Sequence, residues 1–141
     1  MKTSLCIALL ACGLALATPA SADDELYEQL GGQPGLARLV DAFLPRVLAD
    51  ARLAPFFKEV NQDYLKGQLV AEFCQVSGGP CTRKGPDMKH AHEAFDIDRG
   101  TFNAMVEVLQ DAMEEQGVAF ATQNRLLARL APMHRDIVNV D

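Results

Sequence analysis

From residue 23 onward apolar side chains recur at spacings of three and four, the period of an amphipathic helix, and no alternating run of Val, Ile and Thr marks a strand. The fold class implied is all-α. A short first helix around Leu26 to Leu30 is broken by Gly31-Gly32, after which Pro34 suits the first turn of a second helix. That helix presents Leu36, Leu39, Val40, Phe43 and Val47 on one face, and Pro45 inside it predicts a kink, because proline lacks the amide hydrogen that the helix needs. Arg52 to Lys58, containing Pro55-Phe56-Phe57, reads as a corner. Asn61 or Asp63 then caps a third helix bearing Leu65, Leu69, Val70 and Phe73, which Gly78-Gly79-Pro80 ends. Asp87 caps a short helix expected to reach Phe95. Asp98 caps a long one with Phe102, Met105, Val106, Leu109 and Met113 on its face, ended by Gly117, and residues 122 to 131 form the last helix around Leu126, Leu127 and Leu130. Core packing is the ordinary role of such faces.

The start of the chain has a different texture. Lys2 precedes an apolar run from Leu5 to Ala17, followed by Pro19 and Ala20-Ser21-Ala22, the small-x-small pattern after which a signal peptidase cuts. The division expected is a signal peptide over residues 1–22 and one domain over residues 23–141. The run is shorter than the roughly 20 residues of a membrane span, and Asp23, Asp24 and Glu25 follow directly, so export, into the periplasm of a Gram-negative bacterium, is preferred over stable membrane insertion. Acylation at Cys12 after Leu9-Leu10-Ala11 is the competing reading, weakened by the bulk of Leu10 and by apolar sequence continuing past it.

Cleavage would remove 22 of the 141 residues and leave 119, and loss of Lys2 would take the formal charge from −6 to −7. That acidity, with no Lys/Arg stripe carrying interleaved aromatics, argues against a nucleic-acid partner. Of the four cysteines, Cys6 and Cys12 would leave with the signal, and an oxidising compartment would join Cys74 to Cys81. Zinc is a weaker explanation of that pair, since it wants about four ligands and no close partner accompanies them.

Three histidines, His90, His92 and His134, are the candidates for single-site ligand or redox chemistry. His92 follows Met88 by four residues, so a helix puts both on one face and turns His90 elsewhere. Taken alone, a helical histidine is more often a hydrogen-bonded structural residue than a ligand. The chain has no supported Ser/His/Asp order, no His-Glu-x-x-His, no glycine-rich phosphate loop and no clustered carboxylates.

Several motifs in register nevertheless carry a resemblance. Leu26-Tyr27-Glu28-x-Leu30-Gly31-Gly32, Phe43 with Arg46-Val47-Leu48-Ala49-Asp50, Leu53-Ala54-Pro55-Phe56-Phe57, Leu65-Lys66-Gly67, Gly78-Gly79-Pro80 and Met88-Lys89-x-x-His92 are similar to the group 1 truncated haemoglobins over about residues 26 to 138. The resemblance implies a two-over-two helical sandwich around haem (iron protoporphyrin), with His92 as the iron's proximal ligand and its second ring nitrogen held by a backbone carbonyl. It places Phe57 against the porphyrin and Leu44, Leu65 and Leu69 on the distal side. Met88, Ile97, Phe102, Met105 and Leu109 would wall the pocket.

Departures from the family pattern matter as much. Leu44 stands where many members carry a ligand-binding tyrosine and Leu69 where a glutamine often assists, with Gln68 one position off that glutamine and able to reach the iron ligand only if the helix turns slightly. Such an apolar distal side has no donor for dioxygen, a charge-assisted bond that contributes about 1.5 to 3 kcal/mol, and fast gas release is expected. Arg83-Lys84 and Asp96 replace other family residues, which leaves Arg83, Lys66 or Lys89 as candidates to meet the haem propionates.

The resemblance therefore implies an exported haem protein that binds a small diatomic gas (dioxygen, nitric oxide or carbon monoxide). Turnover of nitric oxide or peroxide stays open, although nitric oxide dioxygenation wants stabilised oxygen and peroxidase chemistry wants acid–base groups. Two other classes compete: electron transfer or haem carriage with a sixth ligand from His90, Lys66 or His134, and a haem-free helical module that binds a protein. The sequence names no redox partner.

Overall fold

A computed structural model of the chain describes residues 22–141. The expected targeting segment, and with it Cys6 and Cys12, lies outside the described residues except for Ala22.

The helical period is realised as α1 (Ala22–Gln29), α2 (Gly32–Ala49), α3 (Ala54–Phe57), α4 (Gln62–Val76), α5 (Met88–His92), α6 (Arg99–Glu115), α7 (Phe120–Leu130), a 3-10 turn at Ala131–Met133 and α8 (His134–Ile137). Helix α2 packs on α4, α6 on α7, and the two pairs meet through α2 on α6 and α4 on α7. This is two helices over two. At the centre the apolar face of α2, with Leu36, Val40 and Val47 at 0 % exposure, closes against Leu53, Phe73, Met113 and Leu126. Burial of each such side chain contributes on the order of 1.5–3 kcal/mol.

Side-chain caps start three helices. Asn61 Oδ1 accepts from the Tyr64 amide at 2.9 Å, Asp87 Oδ1 from His90 at 2.9 Å and Asp98 Oδ1 from Thr101 at 2.7 Å. The turn from α1 into α2 depends on Gly31, whose φ of 83° is the left-handed region that side chains avoid. It also needs Gly35, because the Leu30 carbonyl occupies the place a Cβ would take there.

Helix α2 runs through Pro45 to Ala49, as its apolar face to Val47 required; the proline is exposed, as is Asp41 one turn back, so water reaches the carbonyl that loses its partner. Three details refine the sequence reading. The Pro55-Phe56-Phe57 corner contains a single helical turn, α3. Helix α5 stops at His92 instead of reaching Phe95. The last helix begins earlier, at Phe120, and is followed by the 3-10 turn and α8. No helix among the described residues is long and apolar enough to cross a membrane.

Candidate functional site

Helix α5 has only five residues, too few to be held by helix propagation. Asp87 fixes its start through the His90 amide and ring. Those bonds hold the Asp87 carboxyl below the usual carboxylate range, and the same carboxylate raises the His90 imidazole above its ordinary value. His90 is thereby committed to an exposed partner, as the helical geometry implied.

His92 points the other way. Its Nδ1 lies 2.7 Å from the Met88 carbonyl oxygen. A carbonyl only accepts, so Nδ1 carries the proton and Nε2 keeps a lone pair, an assignment made from the hydrogen-bond partner. The half-buried imidazole borders two cavities. The larger, about 290 Å³, is walled by Phe43 of α2, Leu69, Glu72 and Phe73 of α4, Met88 and His92 of α5, Phe102, Met105, Val106 and Leu109 of α6, Leu127 and Leu130 of α7, and then Ala131, Met133 and Ile137. The smaller, about 100 Å³, has Leu53, Phe56, Phe57, Ile97 and Thr101 on its wall. His92, Phe102, Met105 and Ile137 belong to both. Every helix from α2 to α8 thus contributes a side chain to one or both cavities, and His92 borders both.

Of the residues singled out in the sequence, His92, Leu69, Met88, Phe102, Met105 and Leu109 come together in the larger cavity, and Phe57 and Ile97 join His92 in the smaller. Leu44 and Leu65 line neither. Leu44 is buried in the core, and Leu65 packs half-buried against it. Gln68 is absent from both walls and lies toward Gly85, where Tyr64 Oη, Gln68 Oε1 and Arg83 Nη1 stand 3.6, 3.8 and 3.9 Å from the position a Cβ would take. Gln68 Oε1 is buried without a hydrogen-bond partner.

Glu72 corrects the expectation of a wholly apolar pocket. Its carboxylate, on a residue 8 % exposed, pairs with Arg83 Nε at 2.6 Å. Burial pushes the Glu72 carboxyl above its ordinary range, against the pull of the guanidinium. Arg83 is further held by donating to the Pro86 carbonyl at 2.6 Å, while its amide donates to Gln75 Oε1 at 2.7 Å. Arg83 is therefore engaged inside the protein, and Lys66 is paired with Asp41 at 2.5 Å. The spacing held a clue to Glu72: it lies three residues after Leu69 and seven after Leu65, in the middle of the apolar stripe of α4. Nothing local marks Met133 and Ile137, which reach the site only because the chain returns after α7. His134, a candidate sixth ligand in the sequence, is half-buried with its ring edge-on to Phe102 at 4.9 Å.

The profile of the bacterial-like globins matches residues 25–139. A group 1 truncated haemoglobin of Mycolicibacterium paratuberculosis is 36% identical over 121 residues, covering 86% of each chain, and one of Tetrahymena pyriformis is 31% identical over 113 residues, covering 80% of this chain and 93% of the relative. This chain is a group 1 truncated haemoglobin, of the bacterial-like globin family. Among solved structures, the Fe(III) form of the Tetrahymena pyriformis truncated haemoglobin superposes with a TM-score of 0.78 at 31% identity, over 81% of this chain and 97% of that one. The 2/2 haemoglobin of Synechococcus sp., in the cyanomet state with covalently attached haem, gives 0.76 at 25% identity, over 81% and 98%.

Haem is the cofactor of this globin family, and the residues here fit it. The imidazole on the wall of both cavities is held by the Met88 carbonyl in the tautomer that leaves Nε2 free to ligate a metal, and aromatic and aliphatic side chains wall the space around it. Tyr27 and the Gly31-Gly32 turn, two elements of the shared motif, serve the frame of this truncated globin: Gly32 turns the chain beneath the Tyr27 ring.

Proposed function

We propose that this globin is exported and binds a small diatomic gas at a haem iron held by His92. The hydrogen bond from His92 Nδ1–H to the Met88 carbonyl carries the reading. It orients the ring, leaves Nε2 as the donor atom, and does so on the wall shared by the two largely apolar cavities. Bound there, ferrous haem supplies an open coordination position for a gas such as dioxygen, nitric oxide or carbon monoxide. The chain supplies the rest: Met88, Phe102, Met105 and Leu109 keep water from the ring, Phe57 and Ile97 wall the second lobe, and Leu69 gives α4 an apolar contact over the site.

Weak retention of dioxygen follows from the donors at hand. Leu44 and Leu65 have none, Leu69 has none, and Gln68 turns toward Gly85. Slow dioxygen release that Gln68→Ala then accelerates would contradict this. An internal sixth ligand is disfavoured by the partners of its candidates, since His90 bonds Asp87, Lys66 bonds Asp41 and His134 packs on Phe102. Export draws support from the apolar run ahead of Asp23 and from the Cys74–Cys81 bond, which oxidising compartments preserve.

The test of ligation is the absorption spectrum of the purified protein offered haemin, beside His92→Ala. The wild type is expected to give a Soret band, and its ferrous form a five-coordinate high-spin spectrum. The variant is expected to lose most of its haem, with imidazole added to the solution restoring part of the band. A colourless wild type, or an unchanged spectrum in the variant, overturns the assignment. Mass spectrometry of the exported protein, with Asp23 as the first residue, tests the processing.

A further inference from the structure

The segment that follows His92 is a short turn with two backbone bonds of its own, from the Phe95 amide to the His92 carbonyl at 3.0 Å and from the Ile97 amide to the Phe95 carbonyl at 3.1 Å. Between the end of α5 and the start of α6 the chain is a loop, yet the larger cavity and the smaller one both depend on where this loop leaves His92 and Ile97. A residue 47 positions after His92 ties this turn to the end of the chain. Asn139, in the extended tail after α8, donates from Nδ2 to the His92 carbonyl at 3.1 Å and to the Phe95 carbonyl at 2.6 Å, and its Oδ1 accepts from the Ile97 amide at 2.9 Å. Its own amide donates to the Ile97 carbonyl at 3.0 Å, and the Val140 amide to the same oxygen at 3.3 Å. An asparagine is the side chain suited to this, with a donor on one side and an acceptor on the other.

We propose that Asn139 is a positioning residue for the iron-binding histidine: its amide holds the His92 carbonyl, the last of α5, together with the Phe95 carbonyl in the turn beyond it, sets the height and tilt of the His92 ring, and thereby sets the strength of the bond from Nε2 to iron. This rests on ligation by His92. A five-residue helix has no cooperative reserve with which to hold its last residue. Asp87 fixes its first turn, and Asn139 fixes its end. Two residues before Asn139, Ile137 at the end of α8 lines both cavities, so the clamp sits next to a wall of the site.

The experiment uses the full chain loaded with haem, in the wild type, Asn139→Ala, Asn139→Asp and the tail control Asp141→Asn. Two readouts are taken: the iron–histidine stretching band of the ferrous protein by resonance Raman, and the rate at which haem passes to an excess of a competing apo-globin. Asn139→Ala is expected to displace the band and to speed haem loss by about three- to tenfold, the effect of losing one or two net hydrogen bonds. Asn139→Asp is expected to be worse than Ala, because a carboxylate oxygen then faces the His92 and Phe95 carbonyl oxygens. Asp141→Asn should match the wild type in both.

A role confined to anchoring the tail predicts a lower melting temperature with the band unmoved in both Asn139 variants, and that result overturns the proposal while leaving ligation by His92 intact. A wild type without a His92-dependent iron–histidine band removes both. If Asn139→Asp proves too unstable to load, the band and haem-loss rate of Asn139→Ala decide the matter on the same terms.

Discussion

Removing the guanidinium from Arg83 leaves a carboxylate facing a greasy cavity, and the structure sets the size of the effect. Arg83 and Glu72 are 2.6 Å apart, with side chains only 14% and 10% exposed. At an effective dielectric constant near 20 the attraction is about 6 kcal/mol, much of it offset by the water both ions give up. Breaking one side of such a pair costs about 3 to 5 kcal/mol, because the remaining charge stays buried. Glu72 has a partial escape by taking a proton, and burial already pushes its carboxyl upward. We therefore expect Arg83→Ala to lose about 2 to 4 kcal/mol at pH 7. Without Arg83 the folded-state pKa rises further above the unfolded value. The native state then binds the proton more tightly, and the stability this gives is present in full below the unfolded pKa and is lost as the pH climbs through the folded one. The deficit of Arg83→Ala relative to the wild type should accordingly shrink from pH 7 toward pH 5. Urea unfolding is the assay, and with a slope of about 1 to 3 kcal/mol per molar the midpoint moves by roughly 1 to 3 M. Glu72→Gln in the Arg83→Ala background should remove the pH dependence, and Glu72→Leu with Arg83→Leu should come within about 1 kcal/mol of the wild type. A loss under about 0.5 kcal/mol in Arg83→Ala, or a deficit that grows toward acid, refutes the reasoning.

Other expectations follow from single contacts. Gly35→Ala drives a Cβ into the Leu30 carbonyl where α2 starts on the end of α1, and should cost about 2 to 3 kcal/mol in urea unfolding. Gly67→Ala, on the exposed side of α4 with nothing within 4 Å, should instead stabilise by about 0.5 to 1 kcal/mol, and a loss there would mean that the glycine serves something other than the helix. Reducing the Cys74–Cys81 bond, which closes a loop with a sequence separation of 7, should cost about 2 to 3 kcal/mol. Because that bond tethers the stretch carrying Arg83, reduction and Arg83→Ala should combine to less than the sum of their separate effects, and full additivity would show that the two are unconnected.

Much of the frame was legible in the chain. The three- and four-residue apolar period identified the helices because burial of one face needs only local spacing, and Asn61, Asp87 and Asp98 marked their starts because a cap acts within three residues. The same locality explains why His92 and Met88 were paired correctly while His90 was set aside. Length was harder: α5 was read through to Phe95, and it stops at His92, where the Phe95 amide turns back to the His92 carbonyl and Asn139 meets the same oxygen from the far end of the chain.

What the tertiary structure alone decided lies in contacts between distant parts of the chain. Leu44 and Leu65 carry the same greasy side chains as Leu69, and no local rule says that two of them stand outside the cavity walls and one within; the rotation of α2 and α4 against their neighbours does. Glu72 on its apolar stripe looks like a misplaced charge until Arg83 arrives from the loop beyond the disulfide. Helix identity is settled over a few residues by spacing and caps, whereas the direction of a side chain across a cavity, and the partner that makes its burial tolerable, depend on how whole helices are turned against each other.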